Sequence, residues 1–444
     1  MSQKNYNTDI IELQDKTLVI DSVITVKNTK TIKVYKPREL SNSCCKHCGT
    51  LDIKVHGYHN RKIKFFVIGS FKSIIEYRQR RYICSLCNKT FNEDSSIASK
   101  GSIISNQTKI KVLEKIRAKV SFFEIADDFD ISITTAITEF SKHALDYRCQ
   151  LSETICLDEF KASTIAGEYA LIIGDPVNGN ILDILPSRKQ DYIYYYLSTI
   201  NQNEINKVKY IITDLFEPYR TICKNVFWKS IHIADRFHWI KLTTEAFNKI
   251  RIRIMNDYLR LGEQAHKGSY NKYTKYGNVL KKYHKLLLAN KYSKAEWFFE
   301  QTQLASYIQK EMTLQEIIEY CLIFDSDLEA SYILLQELYK IAKFSNYDNA
   351  KENILNWCEL VKQANRKIPE LVKVSLTYKE WINPIVNSFI LNPETKARMT
   401  NGFIEGKNNF VKVIKRVGFG YKNFDLFRAR ILYTNDPNRP YKNQ

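Results

Sequence analysis

The sequence predicts a multidomain α+β protein, and three observations predict it. Two C-x-x-C pairs flank a hairpin-like segment near the amino terminus. Residues 151–240 alternate strand and helix patterns, with an aspartate closing three of the strands. Residues 241–390 read as helix almost without glycine. The 444 residues suffice for about two to four domains. We place the segments at 1–100, 101–150, 151–240, 241–390 and 391–444, the last resuming the third.

Composition narrows the function classes. With 44% apolar and 13% aromatic residues the chain reads as globular. It carries 67 Lys and Arg against 48 Asp and Glu, a net +19. Because each phosphate neutralised by Lys or Arg releases a condensed counterion, such a charge points first to a polyanionic partner. The opening "MSQKNYNTDIIELQDKTLVI" has no apolar core behind a basic start, so it is not a secretory signal. No apolar run is long enough to span a bilayer. The expectation is a cytoplasmic protein whose ten cysteines are reduced unless bound to metal.

Five of the ten cysteines cluster: Cys44, Cys45 and Cys48 in "CCKHCGT", then Cys84 and Cys87 in "RYICSLCNKTF". Paired C-x-x-C knuckles let two tight turns present four thiolates to one tetrahedral zinc. Between them, "KIKFFVIG" and "SIIEYRQRRYI" form a hairpin pattern punctuated by Gly69-Ser70. Knuckle, hairpin and knuckle describe a zinc ribbon. The 35 residues between Cys48 and Cys84 make it a long one. The preferred ligands are Cys45, Cys48, Cys84 and Cys87, with Cys44, His47, His56 and His59 as possible replacements. Cys149, Cys156, Cys223, Cys321 and Cys358 stand alone in apolar surroundings and read as core.

Residues 106–146 read as three short helices. The first carries Ile110, Leu113 and Ile116 on one face, the second opens on a Ser cap, and the third follows a short turn. That is the layout of a helix-turn-helix, whose last helix enters the major groove. Thr134, Thr135 and Thr138 then face outward near its start.

From residue 151 the texture changes. "ETICLDEF" is an apolar run ending at Asp158, and "EYALIIGDPVNGNILDILP" is two strands around a turn. "KVKYIITDLF" is a buried strand reaching Asp214, and "WKSIHIADRFHWI" supplies another reaching Asp235. A meander followed by helix, strand, helix and strand is the order of a ribonuclease H-like α/β core. In that order the first and fourth strands are neighbours, so Asp158 and Asp214 meet. Adjacent carboxylates repel unless a cation sits between them, and magnesium wants such oxygen ligands. We read residues 241–390 as an all-α insertion; a separate downstream domain would leave the core without a third acid. Glu405 supplies it. "GFIEGKNNFVKVIKR" forms a helix in which Glu405, Asn409, Lys412 and Arg416 share a face. Residues 396–430 hold nine Lys or Arg against two acids, so a lone glutamate there weakens phosphate binding unless it holds a cation.

The segment "EGKNNFVKVIKRVGFGYKNFDLFRARI" resembles the carboxy-terminal block of the ISL-three family of bacterial insertion-sequence transposases. "LDEF", "TDLFEPYR" and "ADRFHWIKL" are similar to its other blocks, in order, and the knuckles and helix-turn-helix match its amino-terminal layout. One departure is Lys46, where the family's first knuckle often has proline. The resemblance implies a DDE transposase with catalytic Asp158, Asp214 and Glu405 on Mg2+ or Mn2+, and zinc in the ribbon. "DRFH" is similar to an acid-x-x-His element of several transposase groups, so Asp235 and His238 support the site, with a core histidine as the alternative. Lys407, Asn409, Lys412, Lys415 and Arg416 are then DNA-binding. The implied partners are terminal inverted repeats and target DNA, joined by a homodimer or larger assembly bound to the bacterial nucleoid. The implied chemistry is phosphodiester hydrolysis followed by transesterification. No ATP site is visible, since the chain has neither a Walker lysine loop nor G-x-G-x-x-G. Two rivals fit the residues alone: a DNA-binding regulator that never cleaves, and a nuclease that cuts without joining.

Overall fold

The computed structural model describes residues 15, 17–41, 44–144, 148–265, 272–364 and 367–436. The chain divides into two compact units: Met1–Arg148 with Thr164–Ala166 and Asn409–Gln444, and Cys149–Ser163 with Gly167–Asn408.

In the first unit, β1 (Val19–Val26), β2 (Thr29–Tyr35), β3 (Ile53–Ile68), β4 (Phe71–Cys84) and β5 (Thr90–Asn92) make one sheet. Its order is β1-β2-β4-β3, with β5 on β4. The hairpin turn falls on Gly69-Ser70, where Gly69 takes φ 66°, a left-handed conformation that costs glycine little. Ile32, Val34, Ile63, Phe65, Ile75 and Tyr77 bury one face. β2 pairs in parallel with β4 of this hairpin, a long-range partnership that local pattern does not encode.

Three helices follow: α1 (Asn106–Ile116), α2 (Phe122–Asp128) and α3 (Ile133–Ala144). Ser105 and Ser121 cap the first two by accepting the amides of Thr108 and Glu124. Val112, Leu113, Ile116, Ile125, Ala136 and Phe140 form their core. The expected face is corrected here: Ile110 is 41% exposed and Val112 takes its place inside, a rotation of α1 set by what packs on it.

The second unit is built on a sheet of β6 (Thr154–Thr164), β7 (Gly167–Asp175), β8 (Asn180–Leu185), β9 (Tyr210–Thr213) and β10 (Ile231–Ala234). The order is β10-β9-β6-β7-β8. The β7–β8 turn is local chemistry: Asp175 Oδ1 accepts the amides of Val177 and Asn178, and Gly179 takes φ 66°. α4 (Gln190–Ser198), α5 (Gln202–Ile205) and α6 (Glu217–Asn225) connect the strands. Their Ile193, Leu197, Tyr219 and Ile222 pack with Ile155, Leu157, Leu171 and Ile211 of the sheet. β6 runs six residues past Asp158 instead of ending there.

Among the described residues, 236–387 is mostly helical. The helices are α7 (Arg236–Ala265), α8 (Lys272–Lys282), α9 (His284–Leu287), α10 (Glu296–Glu300), α11 (Leu314–Leu322), α12 (Ser326–Phe344), α13 (Tyr347–Gln363), α14 (Pro369–Glu380) and α15 (Ile382–Asn387). Trp239, Phe247, Ile250, Leu335, Leu338, Trp357 and Tyr378 lie in their core. The segment is not all-α, as the helical pattern suggested: β11 (Thr302–Ala305) and β12 (Lys310–Thr313) form a hairpin. Tyr307 and Gln309 adopt positive φ at its turn, and a capping box between Thr313 and Glu316 restarts helix at α11.

Two further helices follow, α16 (Gly402–Val417) and α17 (Phe424–Asn435). The boundary between the two compact units falls within α16, after Asn408. The reason lies in α17, whose Ala429 and Tyr433 are buried among α1, α2 and α3. No helix among the described residues is long and apolar enough to cross a membrane.

Candidate metal centre and active site

The two knuckles are built alike. The Gly49 amide returns to the Cys45 carbonyl at 2.9 Å and the Asn88 amide to the Cys84 carbonyl at 3.0 Å. Gly49 and Asn88 both take left-handed φ to make that turn. Each turn aims an amide at a sulfur: His47 N lies 3.4 Å from Cys45 Sγ, and Cys87 N 3.3 Å from Cys84 Sγ. Across the pair, Cys45 Sγ and Cys87 Sγ are 3.7 Å apart, and Cys48 Sγ and Cys84 Sγ 3.5 Å. A tetrahedron of zinc–sulfur bonds has edges of about 3.8 Å, so the four sulfurs fit a zinc ion. Burial opposes ionisation of Cys45, but the amides of His47 and Cys48 outweigh it and bring the thiol down to about 7. Among the described residues these four cysteines form one group of mutually close ligand atoms, which Cys44, His47, His56 and His59 do not join.

In the second unit the sheet register places three aspartates abreast. β6 and β9 run parallel with Cys156 opposite Ile212, and β10 runs parallel to β9 with Ala234 opposite Thr213. Continuing both ladders brings Asp158, Asp214 and Asp235 into one row; the Asp235 amide donates to the Thr213 carbonyl at 2.8 Å. α7 starts immediately after Asp235 and carries His238. Its Nε2 lies 3.0 Å from Asp214 Oδ1 and 3.8 Å from Asp235 Oδ2. Ligand atoms of Asp214, Asp235 and His238 all lie within 4.8 Å of one another.

The row is costly without a cation. Burial, then the charges of Asp158, Asp235 and Glu159, push Asp214 up to about 8. Burial also raises Asp158 and Asp235. Asp214 Oδ1 is buried and accepts no hydrogen bond of good geometry, and the buried Oδ1 atoms of Asn401 and Asn408 also lack partners. Closely set acidic oxygens with unmet acceptor capacity suit a hard divalent cation.

α16 meets this row. Asn408 Nδ2 donates to Asp158 Oδ2 at 3.1 Å, and the Asn401 amide donates to Asp235 Oδ1 at 3.0 Å. The Phe403 ring lies over Gly174 of β7, where a Cβ would come within 2.4 Å of it. Glu405 is exposed on the opening turn, and neither it nor Asp158 belongs to the compact group of Asp214, Asp235 and His238. The expected stripe of Glu405, Asn409, Lys412 and Arg416 is the exposed face of α16; Lys407 and Lys415 are half-buried. The asparagine that reaches an aspartate is Asn408, not its neighbour Asn409. Its spacing of three from Glu405 is a sequence signal that could have found it. Glu159, ion-paired with Arg188 at 2.6 Å, had no signal beyond its place beside Asp158.

On α3, Thr134 and Thr138 are exposed, whereas Thr135 is half-buried and its amide and hydroxyl are engaged by Ser132 Oγ at 3.1 and 2.8 Å.

The family model for DDE transposases of the ISL3 type, described as "Transposase", matches residues 155–431, well over half of the chain. The chain belongs to the ISL3 family of transposases. A second family model, the zinc finger of the IS204/IS1001/IS1096/IS1165 transposases, matches residues 41–87 of this transposase, spanning both knuckles. The chain is also similar to the transposase for insertion sequence element IS1001 of Bordetella parapertussis. The two are 20% identical over 408 residues, covering 90% of this chain and 91% of the relative.

Proposed function

We propose that this ISL3-family transposase is a metal-dependent DDE enzyme that binds the terminal inverted repeats of its element, cuts the DNA there and joins the freed 3′ ends to target DNA. The row of Asp158, Asp214 and Asp235 across three adjacent parallel strands carries the reading. The strand order supports a ribonuclease H-like core in 151–240, interrupted by 241–390 and resumed by α16. Residues 1–100 act as the zinc ribbon and 101–150 as a helix-turn-helix.

Asp158, Asp214 and Glu405 would hold Mg2+ or Mn2+. Bound there, a divalent cation lowers the pKa of an attacking water or 3′-hydroxyl and stabilises the leaving oxygen. The chain's own residues prepare the site. Asn408 and the Asn401 amide tie α16 to Asp158 and Asp235, which would bring Glu405 toward the aspartate row. His238 steadies Asp214. Lys407, Asn409, Lys412, Lys415 and Arg416 give α16 donors and positive charge for DNA phosphates. Thr134 and Thr138 present hydroxyls at the start of α3 for base edges, with Thr135 buttressing that turn. Joining two element ends favours a homodimer or larger assembly.

A strand-transfer assay on a labelled inverted-repeat end with magnesium tests the reading. The wild type joins DNA, and Glu405→Gln binds the end but loses about a thousandfold or more in rate. The grouping of Asp214, Asp235 and His238 favours a second reading in which Asp235 is the third acid. Full activity in Glu405→Gln with none in Asp235→Asn would select it.

A further inference from the structure

We infer that Asn408 is a positioning residue of the metal site: its amide fixes the orientation in which Asp158 presents its oxygens to the cation. The inference rests on the reading of Asp158 as a metal ligand.

Both Asp158 oxygens are held by donors. Oδ1 accepts the Glu159 amide at 2.8 Å and Oδ2 accepts Asn408 Nδ2 at 3.1 Å. Two fixed donors set the plane of the carboxylate, yet each oxygen keeps a lone pair for a metal. The amide cannot be turned round, because Oδ1 against Oδ2 would set two acceptors face to face. Asn408 Oδ1 therefore points elsewhere, and it is buried without a partner.

The same bond places Glu405. Asn401, Glu405 and Asn408 follow i, i+4, i+7, so they share one side of the opening of α16. The Asn401 backbone amide is bonded to Asp235 and the Asn408 side chain to Asp158, and the glutamate lies between them in sequence. Phe403 packed on Gly174 sets the depth of the helix, and Asn408 sets its rotation. One helical residue is a turn of about 100°, so with Asn409 in that place the bond would be lost.

The test is a Mn2+ titration of the full chain, followed by electron paramagnetic resonance, with a thermal melt of each variant. Asp158→Asn serves as the reference for loss of a ligand. The expected result is Mn2+ bound by the wild type, lost in Asp158→Asn, and bound about tenfold more weakly by Asn408→Ala at an unchanged melting temperature. If Asn408→Ala unfolds, Asn408→Leu repeats the measurement with similar shape and no polar atoms. Wild-type affinity in the Asn408 variant, with Asp158→Asn still defective, overturns the positioning role and leaves the catalytic reading standing. Equal binding by the wild type and Asp158→Asn overturns both.

Discussion

His238 Nε2 approaches Asp214 Oδ1 to 3.0 Å and Asp235 Oδ2 to 3.8 Å, so one imidazole spans two of the three aspartates in the row. A ring so placed either donates to a carboxylate or joins it on a cation. In both cases its loss frees Asp214. His238→Ala should lower Mn2+ affinity and strand-cleavage rate about 10- to 100-fold while leaving the fold intact. Single-turnover cleavage with a parallel melting curve checks this; an unchanged rate would mean that the histidine only fills space.

The raised carboxylates predict a pH dependence with a definite sign. Asp214 is held at about 8 in the fold against an ordinary value of 3.8. Between those values the folded chain binds the proton that the unfolded chain has lost, so stability falls as pH rises. With chelator present, the second unit should melt at a lower temperature at pH 8.5 than at pH 5. Added Mn2+ should stabilise it most at the alkaline end, where it need not displace protons. Melts across that range with and without metal would show the two trends.

Zinc should depend on four thiols and no more. Cys48→Ser or Cys84→Ser should lose the one zinc of the ribbon and destabilise β3, β4 and β5 near the knuckles. Cys44→Ser should retain it, because Cys44 lies outside the sulfur group. Metal analysis of the purified variants separates these outcomes.

Gly174 is a packing requirement. A Cβ there would meet the half-buried Phe403 ring at 2.4 Å and the fully buried Cys156 Sγ at 3.1 Å, so the ring must shift. Gly174→Ala should cost about 1–3 kcal/mol and displace the opening turn of α16. A drop in melting temperature with a larger drop in strand transfer is the expected pair of effects.

On α3, Ser132 and the exposed threonines should separate cleanly. Ser132→Ala removes the cap on the Thr135 amide and should cost about 1 kcal/mol of stability. Thr134→Ala with Thr138→Ala should leave stability alone and weaken binding to the inverted repeat relative to unrelated DNA. Fluorescence anisotropy on the two duplexes measures the difference.

What could be read without coordinates was chemistry held within a few residues. C-x-x-C makes its own turn, Asp175 and Gly179 make theirs, and Ser121 begins a helix wherever that helix later packs. The strand runs that end near Asp158, Asp214 and Asp235 were legible because burial on both faces leaves long apolar stretches. The hairpin of β11 and β12 was not, because its short strands are polar and mostly exposed, so neither period stands out.

By itself the sequence determined the kinds of group available: four thiols in two knuckles, acids at strand ends, and a basic helix carrying one glutamate. Tertiary structure decided which of them meet. Strand register aligned Asp235 with Asp214, the start of α7 brought His238 to both, and the seat of Phe403 on Gly174 turned Asn408 rather than Asn409 toward Asp158. The reason is geometric. Spacing along a helix or strand says which residues share a face, whereas rotation and register are set by packing against residues far away in the chain, which periodicity alone does not encode.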